Sequence, residues 1–329
     1  MEYDRAVKLG VFTVLFADLP VEQMLDRVAA LGIEAVELGT GNYPGSSHCD
    51  PDELLGNDAK QRALLQAVEE RGLTISALSC HGNPLHPDAA FAKAHHETWR
   101  KTARLAVELG VDTVNLFSGC PGDGPDARAP NWVTCAWPPD YLEVLEWQWN
   151  ERAIPYWTDE AAFARETGLH KVAFEAHPGF LVYNPETLLR LREAAGPELG
   201  ANLDPSHFLW QGIDPLEAVR VLGRAGALFH VHAKDVYLDQ ANIRVNGVLD
   251  TKHYSQYVDR SWSFRSVGYG QDEKFWRDFV SALRTVGYDG VLSIEHEDGL
   301  ASVAEGLRKA VDVLQRVLLK EQPGEMWWA

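Results

Sequence analysis

Short runs of β-branched and aliphatic residues alternate along the chain with longer stretches whose apolar residues recur at helical spacing. Eight runs read as strands: Lys8–Leu15, Ala35–Leu38, Thr74–Leu78, Thr113–Phe117, Lys171–Glu175, Gly200–Asp204, Leu228–His232 and Gly290–Glu295. The intervals between them hold helices with legible ends. Leu19–Leu31 stops at Gly32, Asp88–Leu109 at Gly110 and Asp272–Val286 at Gly287, each glycine standing where a left-handed turn closes a helix. Pro185–Ala195 follows Asn184, and Asp214–Leu222 opens on Asp-Pro; both place a capping side chain before a proline in the first turn. Ala301–Leu319 supplies the last helix.

Strands that alternate with helices pair in parallel, because a parallel connection needs a crossover, and eight of them close a cylinder. The expected fold is therefore α/β, a (β/α)8 TIM barrel formed as one domain over residues 1–329. An open doubly wound sheet would share the alternation, but it announces itself by a glycine-rich turn after its first strand, and none follows Val11–Phe16. Two intervals are too long for a plain crossover: Ser118–Thr158, rich in proline and tryptophan, and Lys234–Gln271. They follow strands four and seven, so both are expected as enlarged loops on the C-terminal face, where barrel enzymes build their sites.

Side-chain parity at the strand ends carries the chemistry. In FEAHPG, NLDPSH, FHVHAKD and SIEHED the residues Ala173 and Glu175, Asn202 and Asp204, His230 and His232, and Ser293 and Glu295 fall on one face, opposite apolar neighbours suited to a covering helix. Glu175, Asp204, His232 and Glu295 then form a single layer around the barrel mouth. Three carboxylates and an imidazole converging without a cation would repel one another, and a divalent ion resolves this. The set is oxygen-rich and lacks thiolates, which suits Mn2+ first, Mg2+ or Co2+ next, and Zn2+ less well.

Charge narrows the partners. With 48 acidic against 30 basic side chains the formal net charge is −18, which disfavours nucleic acid, anionic membranes and free phosphorylated substrates. Cys49, Cys80, Cys120 and Cys135 form no CxxC pair and no disulfide framework, the usage of a reducing compartment. MEYDRAVKLG lacks the basic and apolar regions of a signal peptide, and no apolar run approaches the ~20 residues of a membrane span, so a cytoplasmic location is expected.

The segments VAFEAHPG, NLDPSHFLWQGIDP, HVHAKD and GYDGVLSIEHED resemble the xylose-isomerase-like TIM-barrel superfamily of sugar (phosphate) isomerases and epimerases, and the resemblance runs from the first strand to the last helix. It implies that Glu175, Asp204, His232 and Glu295 hold one metal and that His207, three residues after the aspartate, contacts substrate. It also implies ketose isomerase or epimerase chemistry. The better-known free-ketose epimerases carry an arginine shortly after the strand-seven motif; here Lys234 and Asp235 stand there, so the substrate does not transfer.

The expected reaction acts on a neutral keto-sugar through a metal-stabilised enediolate, with Glu175 and Glu295 as base and acid on opposite faces. His81, His177, His207, Lys234, Arg265 and Trp137 are candidate substrate contacts. An ion pair with Asp235 or Glu295 is an equal reading for Lys234. Trp132, Trp137, Trp147, Trp149, Trp157 and Trp210 could stack on a sugar; packing is the better reading for each alone, while the set favours a neutral sugar or glycoside. The tail Met326–Trp328 is expected to pack on the barrel or a neighbouring subunit. A 3-keto-glycoside lyase, as in the C-glycoside deglycosidases with their small partner subunit, and an inosose-type dehydratase use the same C–H deprotonation and stand as alternatives. A homo-oligomer is expected. An apurinic-site endonuclease would need several metals, more histidines and a basic groove, against the charge; a non-catalytic sugar-binding protein is the remaining class.

Overall fold

In the computed structural model, which describes residues 6–321 and 324–328, all eight predicted runs become strands of one closed barrel. In chain order the strands are β1 (Lys8–Phe12), β2 (Ala35–Gly39), β3 (Thr74–Ser79), β4 (Thr113–Leu116), β5 (Lys171–Glu175), β6 (Leu199–Leu203), β7 (Leu228–Ala233), β8 (Asp235–Leu238), β9 (Trp262–Arg265) and β10 (Val291–Ile294). Around the barrel the order is β1-β10-β7-β6-β5-β4-β3-β2, every neighbour parallel. Residues 1–5, half of the segment read for a targeting signal, lie outside the described residues. No helix among the described residues is long and apolar enough to cross a membrane.

The predicted strand ends are off by a few residues where the chain turns early. The first strand stops at Phe12, and Thr13–Phe16 forms a 3-10 turn in place of the expected continuation to Leu15. The helix caps behave as their chemistry requires. Asn184 accepts from the Thr187 amide at 2.8 Å, Asp214 from the Leu216 amide at 2.8 Å and Asp272 from the Phe275 amide at 2.8 Å, each satisfying a donor that the first helical turn leaves open. The faces opposite the barrel lumen pack as the alternation demands: Val172, Phe174, Leu203, Val231, Leu292 and Ile294 are buried in the apolar layer under the helices.

The two long intervals become ordered structure over the C-terminal mouth. After β4, the chain runs irregularly to Pro139 and then forms one helical rod, Asp140–Thr167, through a π-helical turn at Gln148–Ala153; the predicted loop Ser118–Thr158 is thus helical in its second half. Gln148 explains how the irregular part is held, since its amide donates to the Gly122 carbonyl at 2.9 Å and the Asn131 carbonyl at 2.7 Å. Trp149 and Trp157 are core residues of this region, and the Trp157 indole donates to the Ser118 carbonyl at 2.8 Å. After β7, strands β8 and β9 pair antiparallel and fold back against the mouth. Asp235 fastens them by accepting the amides of Gly268 (2.8 Å), Gly270 (3.2 Å) and Gln271 (2.9 Å). Gly270 has no alternative there, because a Cβ would meet the Val236 carbonyl oxygen at 2.3 Å.

Met326, Trp327 and Trp328 do not pack on the barrel; they are 67%, 86% and 68% exposed, and the two indoles touch only edge to face. Cys49, Cys80 and Cys120 are buried free thiols and Cys135 is exposed and free, as expected of a chain without a disulfide framework.

Candidate metal centre and sugar site

The parity argument places four side chains at one level of the barrel, and the structure brings their ligand atoms within 4.8 Å of one another: Glu175 at the end of β5, Asp204 just past β6, His232 in β7 and Glu295 just past β10. His232 Nδ1 lies 2.9 Å from Glu295 Oε2 and 3.4 Å from Glu175 Oε2. Asp204 has two jobs. Its Oδ1 caps the helix Pro205–Gln211 by accepting the Ser206 amide at 2.8 Å, while Oδ2 is buried without a hydrogen-bond partner. That short helix carries His207 back over the centre, 3.0 Å from Glu175 Oε1 and 3.3 Å from Asp204 Oδ2.

A second carboxylate layer lies beneath, and it was missed from sequence. Glu37, fully buried in β2, places both carboxylate oxygens 3.0 Å from His232 Nε2. It also accepts from Ser79 Oγ (2.6 Å), Asn115 Nδ2 (2.9 Å) and Ser293 Oγ (2.8 Å), so four strands converge on one carboxylate. An imidazole whose Nε2–H is given to a carboxylate is fixed in ring orientation and presents Nδ1 as a ligand. The signal was available: in AVELG, Glu37 has the inward parity of a strand whose other residues are apolar.

The electrostatics are those of a crowded acidic ring. Burial alone would raise the Glu175 carboxyl, but the imidazoles of His207, His232 and His81 outweigh it and hold it well below the usual carboxylate range. Burial is likewise overcome at Glu295, where chiefly Lys234 brings the carboxyl down to about 2. At Asp204 burial wins over His207 and Lys234 and pushes the carboxyl up to about 6. His232 is held well above the ordinary imidazole range, since Glu37 and Glu295 outweigh the burial that would lower it.

The donor set fits a hard divalent ion. Asp204 Oδ2 is buried yet lacks a hydrogen-bond partner, and Nδ1 of His232 faces Glu295 Oε2 at 2.9 Å while its Nε2 is occupied by Glu37. Three carboxylates and one imidazole with oriented second partners are the ligands that oxygen-preferring divalent ions take.

The other predicted contacts divide. His81 reaches the centre, with Nε2 3.0 Å from Glu175 Oε2. His177 lines the same cavity with its ring against His207 (centroids 4.0 Å apart) and its Nδ1 2.6 Å from the Pro178 carbonyl; burial and the charge of His207 push it down to about 3, so it is a neutral imidazole. Lys234 is buried and reaches Glu295 (3.1 Å) and Glu297 (2.8 Å); of the two ion pairs expected for it, Glu295 is present, whereas Asp235 is turned toward the Gly268–Gln271 amides. Arg265 does not line the cavity. Strand alternation in β9 turns Phe264 toward the cavity and Arg265 away, where its Nε lies 3.2 Å from both Asp298 carboxylate oxygens and its guanidinium stacks on Tyr269. Trp137 is not at the cavity either; it is 77% exposed on the outer part of the loop after β4, and Phe117 and Trp132 from that loop line the mouth instead.

The centre opens into a cavity of about 690 Å3. Its floor holds Glu175, Glu295 and His81, its walls Phe12, Phe117, Tyr254 and Phe264, and its rim Glu297 and Asp298. Phe12 lies nearly parallel to the His232 ring at 5.8 Å between centroids. The arrangement can bind an oxygen-rich neutral molecule, place aromatic faces on its C–H surface and hold two ionised carboxylates at its reacting carbon.

Comparison with known proteins agrees with this fold. The family model described as xylose isomerase-like TIM barrel matches residues 25–317. The protein YfiH of Bacillus subtilis strain 168 is 43% identical over 314 residues, 95% of this chain and 99% of that one. The Bacillus anthracis protein AsbF, described as a probable 3-DHS dehydratase, shares the fold with a TM-score of 0.64 at 17% identity, over 94% of this chain and 99% of that one. The 3-keto-D-glucoside 4-epimerase YcjR of E. coli does so with a TM-score of 0.63 at 13% identity, over 94% and 99%. With the matched model spanning all but the first strand and the tail, the chain belongs to the xylose isomerase-like TIM barrel family.

Proposed function

We propose that this protein is a divalent-metal-dependent isomerase or epimerase of a neutral keto-sugar. The observation that carries the reading is the pair of carboxylates Glu175 and Glu295, which both converge on Nδ1 of His232 from strands separated in the barrel by β6 and β7. Glu175, Asp204, His232 and Glu295 would hold the ion, Mn2+ by preference. Bound there, a divalent ion supplies Lewis acidity that stabilises charge on sugar oxygens and so acidifies the neighbouring C–H.

The side chains do the rest. One carboxylate takes the proton from the carbon beside the carbonyl, which leaves a planar enediolate. The other, protonated from solvent, returns a proton to the opposite face, and exchange with water restores the starting charge. His207 and His81, each within 3.0 Å of a Glu175 oxygen, orient that carboxylate. The aromatic walls exclude water from the carbanion. A phosphate is disfavoured because Glu297 stands at the cavity and the ammonium there, Lys234, is already paired with Glu295 and Glu297.

The test is hydrogen exchange at carbon. Keto-sugars incubated in heavy water with the Mn2+-loaded protein should take up deuterium, and uptake should vanish with Glu295→Gln and with chelation. Uptake that survives both changes would falsify the proposed proton transfer.

A further inference from the structure

The irregular chain between β8 and β9 carries a buried cation that the chemistry of the metal centre does not use. Arg260 is only 2% exposed. Its guanidinium lies 4.4 Å from the ring centroid of Tyr254 and 4.6 Å from that of Trp262. Its Nε donates to the Trp262 carbonyl at 3.0 Å, and a terminal nitrogen donates to the Lys252 carbonyl. The Asp250 carboxylate stands off from it at 4.0 Å. Asp250 is engaged elsewhere, accepting the Ser261 amide at 2.7 Å and the Lys252 amide at 2.9 Å, so the two ends of the segment 250–261 are tied together.

Between those ends the chain is largely exposed, Val258 by 86%, but its two tyrosines turn to the cavity. The Tyr257 hydroxyl fills the space that a side chain on Gly299 would need. Tyr254 is 51% exposed and lines the metal cavity, with its ring nearly parallel to Phe264, 5.8 Å between centroids and 22° between planes. Phe264 reaches the reacting centre in turn: Lys234 Nζ is 4.3 Å from its centroid, and the His207 ring meets it edge-on at 5.5 Å. Burying a charge is costly, and apolar replacements of buried ionic groups are often neutral or stabilising, so closing this loop does not by itself call for an arginine. What the guanidinium adds is orientation, because a planar cation over an aromatic face fixes where the ring sits. A side chain on irregular chain loses rotamer freedom when it meets a ligand, and one already clamped loses less.

We infer that Tyr254 is a substrate-contacting residue, the open part of its side chain covering the sugar bound at the metal centre, and that Arg260 is the positioning residue that holds it there. The inference rests on the keto-sugar reading above for the identity of the ligand and adds two residues which that reading does not contain. Arg260 touches no substrate; it acts through the Tyr254 ring, while Asp250 keeps the segment closed behind both.

The experiment measures binding of D-fructose, D-psicose and 2-keto-myo-inositol to the Mn2+-loaded protein by calorimetry, and binding of Mn2+ to the stripped protein as a control. Tyr254→Ala should weaken the tightest of the three probes about tenfold, the contribution of one aromatic contact, and leave Mn2+ affinity unchanged, which a damaged fold would not do. Arg260→Met should weaken the probe as much, and Arg260→Lys, which keeps a cation over the ring, should weaken it less. The double variant Tyr254→Ala, Arg260→Met should bind no worse than Tyr254→Ala alone, because the second residue acts only through the first. Tyr254 is half exposed, so its variant decides if Arg260→Met misfolds. Probe affinity unmoved in Tyr254→Ala, additive losses in the double variant, or no binding of any probe to the wild type overturns the inference. Deuterium uptake is read in the same samples: binding that depends on Tyr254 without uptake overturns the keto-sugar reaction and upholds the contact, while uptake with affinity unmoved in Tyr254→Ala overturns the contact alone.

Discussion

Glu37 of β2 holds His232 of β7 across the barrel interior, with both carboxylate oxygens 3.0 Å from Nε2. The pair decides which imidazole nitrogen faces the three carboxylates above it, and so links the polar interior of the barrel to the chemistry at its mouth.

Glu37→Gln keeps the shape and replaces the carboxylate by an amide that can no longer accept from His232 on both oxygens. Mn2+ affinity should fall about 10–100-fold, the usual cost of losing an oriented partner behind a metal-bound histidine. Calorimetric titration of the stripped protein checks this, and an unchanged affinity would show that Nδ1 of His232 is not a ligand.

Metal loading should raise stability as well as activity, because the ion binds the folded ring and relieves repulsion among Glu175, Asp204 and Glu295. At free Mn2+ of 100 times Kd the gain is about 2.7 kcal/mol. Thermal unfolding with and without a chelator should differ accordingly, and Asp204→Ala should abolish the difference.

Lys234 is buried against Glu295 and Glu297, so Lys234→Met leaves a buried carboxylate without its cation. Breaking such a pair costs about 3–5 kcal/mol. The loss should be largest in metal-free protein and smaller with Mn2+ present, since the ion then compensates Glu295. Urea unfolding in both states measures it.

Asp298 ties β9 to the end of β10, accepting the Ser266 amide at 2.8 Å and hydroxyl at 2.9 Å beside the Arg265 guanidinium. Burial would raise its pKa, but the amides of Ser266 and Leu300 and the charge of Arg265 outweigh it and hold the carboxyl below its ordinary value. A depressed carboxyl stabilises the fold above its unfolded pKa of about 3.9 and loses that contribution as pH falls through the folded value. The stability gap between wild type and Asp298→Asn, about 1.5–3 kcal/mol near neutrality for hydrogen bonds to a charge, should therefore close in acid. Unfolding midpoints from pH 7 to pH 2 give the profile.

The alternation of runs and the parity at four strand ends were enough to place Glu175, Asp204, His232 and Glu295 in one layer, because strand period and barrel closure are local rules with a global consequence. Caps at Asn184 and Asp214 were equally legible, since each rests on a side chain and an amide a few residues apart. Glu37 escaped although its parity was readable, because its meaning depends on Ser79, Asn115, His232 and Ser293, which arrive from four other strands.

The long loops were beyond such rules. Nothing local distinguishes Trp132, which lines a cavity, from Trp137, which faces solvent, or Phe264, which faces the substrate space, from Arg265, which is held by Asp298. Those outcomes depend on where Gln148 and Asp235 fasten the two loops, through hydrogen bonds to backbone groups distant in sequence. Sequence alone determined the barrel and the layer of Glu175, Asp204, His232 and Glu295 at its mouth, whose spacing is set by backbone period. Only the tertiary structure decided the shape of the mouth, because irregular chain has no period and takes its course from the contacts that hold it.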